Sequence, residues 1–228
     1  MRFWVATWQW LSDPANAYGP HGYWTRFAEH VGYCLLATVI ACLVGVPLGY
    51  LVGHTRRGRG LVVVSSGAAR ALPTLGVVTL LGLWLGIGLE APLLALVLLA
   101  VPSVLAGAYS GVEQVPAPVV DAARATGMSP GQVLWQVEAP LGLPLLLGGI
   151  RSAMLQVVAT ATLAAYVGAG GLGTFLFLGL KTQNYPMMLA ASLLVVLLAV
   201  VLELGFELAV ALTARKTGNS SGARGVAR

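Results

Sequence analysis

Charge is what this sequence has least of. Only 9% of its 228 residues are Asp, Glu, Lys or Arg, against about 25% in a typical soluble domain. With 57% hydrophobic residues and a mean hydropathy of +0.83, that shortage excludes a water-soluble fold. Lysine is rarer still, since Lys181 and Lys216 are the only two. A phosphate-binding loop of the form G-x-x-x-x-G-K-[ST] needs a lysine in a fixed context, and neither residue has it. Cysteine is nearly absent too: Cys34 and Cys42 fall in one apolar run and read as small buried hydrophobes, not as a disulfide. His21, His30 and His54 show no metal-ligand spacing. There is no H-E-x-x-H, no G-x-S-x-G and no aspartate inside an apolar run, which leaves an intramembrane enzyme, like a membrane scaffold, only a remote alternative.

What the chain does have is long apolar runs. A helix needs about 20 apolar residues to cross the hydrocarbon core. Tyr33–Val52, Ala71–Leu89, Ala91–Val112, Leu145–Val167 and Met187–Leu212 each meet that length, so five spans are expected. None alternates with a period of two, which argues against a β-barrel. The fold class is therefore all-α, a polytopic membrane protein occupying residues 31–212. Basic residues set its orientation. Arg56, Arg57, Arg59, Arg124, Arg215, Lys216, Arg224 and Arg228 fall on one side, and Arg2, Arg26 and Lys181 on the other. The first side is expected in the cytoplasm, with the N-terminus outside. Residues 1–30 carry Trp4, Trp8, Trp10 and Trp24 and read as an interfacial segment on the outer face. The apolar part of this segment is too short and too rich in tryptophan for a cleaved signal peptide. Residues 213–228 read as a polar cytoplasmic tail without fixed structure.

One polar stretch interrupts the lipid-loving pattern. Asp121–Pro144 reads DAARATGMSPGQVLWQVEAPLGLP, within a connection over residues 117–144. The pattern predicts a first helix over Val119–Thr126, ended by Gly127 in a left-handed cap. Ser129 then caps a second helix with Pro130 at its first position and Gln132 completing a capping box. Met128 and Val133 are placed for a hydrophobic staple, and Pro140 and Pro144 are expected to stop the second helix. Asp121 near the first helix's start would complement its dipole. Ala122, Ala123 and Ala125 would make a low-relief face, with Val133, Leu134, Trp135 and Val137 as apolar anchors. Such a pair suits docking into a partner's groove, though a loop folded back on its own spans explains the pattern equally well.

The same residues carry a family resemblance. Asp121-Ala122-Ala123, three residues, Gly127, nine residues, then Val137-Glu138-Ala139-Pro140 resembles the coupling signature of permease subunits in bacterial ABC importers. That signature runs Glu-Ala-Ala, three residues, Gly, nine residues, Ile-x-Leu-Pro. Asp for Glu, Val for Ile and Ala for Leu are its departures here. Gly149–Leu180 resembles the branch of permeases for osmoprotectants such as glycine betaine, carnitine and choline. The resemblance implies a type I importer permease fold, in which Asp121, Ala122, Ala123, Gly127, Ser129, Trp135 and Pro140 couple the chain to cytoplasmic ATPase subunits. It implies that ATP and magnesium are used by that partner and that this chain binds no cofactor. It further implies a second permease copy or paralogue, an extracytoplasmic substrate-binding protein, and the inner membrane of a prokaryote. The same architecture could serve methionine or another small solute.

Other positions stand out less. Gly168, Gly170 and Gly173, with Gly171 at an open position, formally match G-x-G-x-x-G. They follow a membrane helix with no acid about 20 residues on, so a dinucleotide site is excluded. A glycine-rich break at the outer end of the fourth span, able to serve an outer gate, fits better. Arg70, Arg151, Glu203 and Glu207 are ionisable groups at or within spans, and such residues pair inside the bundle. Arg70 or Arg151 is expected to pair with one glutamate, for gating or for structure. Gly45/Gly49, Gly82/Gly86 and Gly107/Gly111 have the spacing of close helix contacts.

Overall fold

Among the described residues, four helices are long and apolar enough to cross a membrane, and a fifth apolar helix is shorter. The computed structural model describes residues 2–60, 62, 64, 67 and 71–216. Arg70 and residues 217–228 of the expected tail lie outside the described residues. The elements are α1 (Arg2–Ser12), α2 (Pro14–Ala17), α3 (Tyr23–Thr55), α4 (Thr74–Leu85), α5 (Glu90–Glu113), α6 (Ala117–Ala125) and α7 (Pro130–Val133). A π turn (Leu134–Glu138), α8 (Ala139–Thr160), a 3₁₀ segment (Ala161–Val167), α9 (Gly173–Thr182) and α10 (Tyr185–Lys216) follow.

The expected spans map onto these with corrections at their ends. Within the second, Ala71–Leu89, α4 takes 12 residues. Pro73 precedes it with extended backbone and Gly86 ends it at φ +93°. At 1.5 Å per residue α4 is about 18 Å long, short of the ~30 Å core. The first helix begins at Tyr23, ten residues before the apolar run, so residues 23–30 of the expected interfacial segment belong to α3. The last helix continues through Lys216, beyond the expected boundary at 213.

The chain divides into two compact units, and α3, α5, α8 and α10 each give residues to both. One comprises 1–39, 72–99 and 154–201. In it Ala17, Tyr23, Phe175, Met187 and Ala191 form a buried cluster, with Trp10 packed against it. Trp10 meets the Phe175 ring edge-on at 5.3 Å, and Tyr23 Oη donates to the Leu11 carbonyl at 3.0 Å. Trp10 is therefore a packing residue, whereas Trp4, Trp8 and Trp24 are exposed. Aromatic rings gain both area and edge-to-face geometry from such a site.

The second unit comprises 40–71, 100–153 and 202–228. Its helices approach through glycine. A Cβ on Gly49 would lie 2.5 Å from Ala108 Cβ, and one on Gly107 would lie 2.7 Å from Gly149 Cα. Gly111 faces Gly142 in the same way. The spacing Gly45/Gly49 thus seats α3 on α5, and Gly107/Gly111 seats α5 on α8, by the close backbone approach that small residues permit. Gly142→Ala places a methyl 2.5 Å from the Gly111 carbonyl carbon, and overpacking of this kind costs about 1–3 kcal/mol. Its melting temperature in detergent is expected to fall clearly below that of Gly148→Ala, whose Cβ meets nothing within 4 Å.

Candidate functional site

The polar connection folds as two helices, and their ends explain why. Gly127 adopts φ +89° and donates its N–H to the Arg124 carbonyl at 2.9 Å. Met128 N–H reaches the Ala123 carbonyl at 3.3 Å. This 5→2 and 6→1 pair is a Schellman cap. At the start of α7, Ser129 Oγ accepts the Gln132 N–H at 3.4 Å and Gln132 Oε1 accepts the Ser129 N–H at 2.8 Å. The capping box is complete. Val115, Val120, Ala123 and Val133 are buried together, with Met128, Val137 and Leu141 against them. The staple residues Met128 and Val133 therefore share one small core.

Three expectations are corrected here. The first helix starts at Ala117, with Pro118 in its first turn and no acid there. Asp121 consequently sits in the second turn, too far in to complement the dipole. The three alanines do not share a face: Ala123 is buried, while Ala122 and Ala125, three apart, are exposed. Pro140 and Pro144 do not stop the second helix, because a continuous helical path runs from Pro130 to Val167. For Pro140 the π turn supplies the reason. There Ala139 N–H bonds the Leu134 carbonyl, five residues back. The wider turn shifts the ladder where the Pro140 ring would otherwise meet a carbonyl four residues earlier.

The π turn also places side chains that sequence reasoning passed over. His54 Nδ1 lies 2.5 Å from Glu138 Oε2, and Glu138 is only 5% exposed. Tyr50, one turn earlier on α3, meets the Trp135 ring edge-on at 5.8 Å. Trp135 is otherwise open, at 66% exposure. Leu134 and Val137 are half-buried and Val133 fully buried, so Trp135 is the one expected apolar anchor that offers itself outward. Beside the pair lies a cavity of about 310 Å³ bordered by His54, Arg56, Ala117, Val120, Asp121, Arg124 and Glu138. Glu138 occupies the unspecified position of the motif and His54 the end of an apolar run. Nothing local in the sequence joins residues 84 apart.

Of the expected intramembrane charges, the structure pairs Arg151 with Glu203. Arg151 Nε donates to Glu203 Oε2 at 2.8 Å, and Nη2 donates to Oε1 in a two-pronged contact. Glu207 lies one turn further along α10 and is exposed.

The glycine-rich break is a strapped loop. Gly168, Gly170 and Gly171 all take positive φ, at +82°, +88° and +74°. One face of α3 holds the loop through residues 26, 29, 30 and 33. Glu29 Oε2 accepts the Gly171 N–H at 2.9 Å, and Tyr33 Oη donates to the Ala169 carbonyl at 2.6 Å. Arg26 Nη1 donates to Glu29 at 2.8 Å. His30 is fully buried beneath Gly171, with Nε2 3.1 Å from the Val158 carbonyl. The sequence pointed to the glycines but not to this polar face, because Arg26, Glu29 and His30 precede the apolar run.

Residues 45–218 match the family described as "Binding-protein-dependent transport system inner membrane component". The chain is 31% identical over 183 residues to a choline transport system permease protein of Bacillus subtilis (strain 168), covering 80% of this chain and 83% of that one. It is 33% identical over 183 residues to an osmoprotectant import permease protein of Salmonella typhimurium (strain LT2), covering 77% and 84%. Among solved structures, an inward-facing MetNI methionine ABC transporter chain matches with a TM-score of 0.70 at 22% identity, covering 81% of this chain and 93% of that chain. That last likeness is one of fold alone.

Proposed function

The chain belongs to the binding-protein-dependent transport system inner membrane components, and on that premise we propose that it carries osmoprotectants such as glycine betaine, carnitine or choline, driven by a separate ATPase. It is the membrane permease subunit of an ABC importer. In this reading α6 and α7 couple it to cytoplasmic ATPase subunits. Asp121, Ala122, Ala123, Gly127, Ser129, Trp135 and Pro140 are assigned there as surface or as scaffold. The observation that carries the role is a helix pair capped at each internal end, because a frayed helix absorbs a displacement that a capped one transmits. Trp135 and the exposed Ala122/Ala125 face supply an aromatic anchor and a close-approach surface. Arg56, Arg57, Arg59 and Arg124 cluster around this connection, which supports a cytoplasmic location for it. A second permease chain, identical or related, completes the pathway, and an extracytoplasmic binding protein delivers substrate. Gly168, Gly170 and Gly171 are assigned to an outer gate, strapped by Glu29 and Tyr33.

The substrate class rests on relatives whose names specify choline, glycine betaine and carnitine transport. The second reading is the same architecture importing methionine or another small solute. Calorimetry of the cognate binding protein separates them. Binding of glycine betaine, carnitine or choline with no heat from methionine or proline is the expected result, and methionine binding alone would overturn the substrate assignment. Tagged permease purified in mild detergent is expected to retain an ATPase subunit. Its consistent absence would sink the coupling role.

A further inference from the structure

We propose that the contact between the end of α3 and the π turn, His54 with Glu138 and Tyr50 with Trp135, carries displacement of the coupling helices into the first long helix. This inference rests on the coupling role assigned above to α6 and α7. Tyr50 and His54 are four apart on α3, and Trp135 and Glu138 three apart on the turn. Two contacts therefore register one helix face against one turn, which fixes rotation as well as distance.

The packing around this contact singles it out as a route. On the α3 side of α6, residues Ala117, Val120, Asp121 and Arg124 border the 310 Å³ cavity together with His54, Arg56 and Glu138. There α6 and the end of α3 face each other across that space. The route through α7 is filled instead: Val133, Val137 and Leu141 pack with Val115 and Val120, and the π turn follows without a break. Glu138 is 5% exposed, and its carboxylate has His54 at 2.5 Å. A buried carboxylate is strongly penalised without a donor, so separating the turn from α3 is costly and the two move together. On another face, α3 meets α5 through Gly45, Gly49 and Gly53, where an added Cβ would lie 3.1, 2.5 and 2.8 Å from the nearest atoms. The end of α3, beyond the ladder gap left by Pro47, is thus held on two faces. The five-residue reach of the π turn, a geometry found often at functional sites, sits at the point where the push would change direction.

His54 and Glu138 are positioning residues in this scheme, and the test needs a readout that stability alone would not move. That readout is ATP hydrolysed per substrate imported by the complete importer in vesicles. His54→Ala and Glu138→Ala are expected to keep basal hydrolysis within about twofold, while the ratio rises tenfold or more. The double variant should be no worse than either single one, as for two groups acting as a unit. Asn places a donor nitrogen near the position of imidazole Nδ1, so His54→Asn should restore the ratio to within about threefold of wild type. Should the alanine variants fail to assemble, His54→Cys with Glu138→Cys, in a chain with Cys34 and Cys42 replaced by Ala, tests the same point. The reduced form should be uncoupled, and a short thiol crosslink within the same assembled complex should recouple it. A wild-type ratio in His54→Ala, or a crosslink that leaves the complex uncoupled, overturns the proposal. Gly127→Val is the control: if it uncouples while His54→Ala does not, only the junction is wrong. If neither uncouples, the coupling role of the loop fails with it.

Discussion

Replacing Gly127 with valine leaves ATP hydrolysis running while import falls tenfold or more. Gly127 holds φ +89° between α6 and α7, a conformation that costs a residue with a Cβ about 1–2 kcal/mol, and a β-branched one more. The space around it is open, with nothing within 4 Å of an added Cβ. The damage is therefore to the backbone and not to packing. Either the strain is kept, or Gly127 leaves the left-handed region and the Schellman bonds to Arg124 and Ala123 are lost. About 1.4 kcal/mol is a factor of ten in the population of the capped form. The C-terminal turn of α6 then frays, and the angle between the two short helices is no longer fixed. Asparagine, which tolerates the left-handed region, should retain most of the import that valine loses, and alanine should fall between. Parallel assays of hydrolysis and uptake in vesicles check the series. Normal import by Gly127→Val, in protein shown to carry the substitution, would refute the role given to the cap.

Gly127 and Ser129 are legible in the sequence because their signals are local. A left-handed cap and a capping box are each set by residues within six positions, and both formed where the pattern put them. The long helices were legible for the same reason, since an apolar run needs no distant partner to be recognised. Their ends were less so. α3 begins ten residues early because Tyr23 and Arg26 find partners in Leu11 and Glu29, which composition does not reveal. Pro140 misled because the rule that proline ends a helix assumes an unbroken four-residue ladder, and here a π turn shifts it. Ala123 misled because a run of alanines has no face until its helix packs on something. His54 and Glu138 were invisible as a pair, being 84 residues apart with no pattern between them. Arg151 and Glu203 came closer, since two charges in apolar helices invite pairing, but only the folded structure selects Glu203 over Glu207.

Arg151→Ala should be the most damaging single change inside the apolar helices. Its guanidinium grips Glu203 with two donors, Nε at 2.8 Å and Nη2 on the other oxygen. Such bidentate pairs are the strong ones. Alanine leaves Glu203 without its partner on an otherwise apolar stretch of α10, where an ionisable side chain near the helix centre costs about 2.5–3.5 kcal/mol on insertion scales. Breaking a fully buried pair costs about 3–5 kcal/mol. With the two side chains 31% and 34% exposed in this chain, a loss nearer 2–3 kcal/mol is expected, still a large part of the margin of a folded protein. Lysine keeps the charge but not the fork, so Arg151→Lys should recover only part of it. The decisive comparison is Arg151→Met with Glu203→Met. Removing both charges also removes the desolvation that the pair had to offset, so the double variant should melt close to wild type although each single one does not. Glu207→Gln, one turn further and away from the contact, should stay within about 0.5 kcal/mol of wild type. Thermal melts of the detergent-purified protein separate these outcomes. Equal losses in Arg151→Ala and the double methionine variant, which keeps most of the side-chain volume, would show that the ion pair contributes more than the desolvation it offsets. If the double variant instead regains stability but not import, Arg151 and Glu203 belong to the transport cycle as well as to the fold.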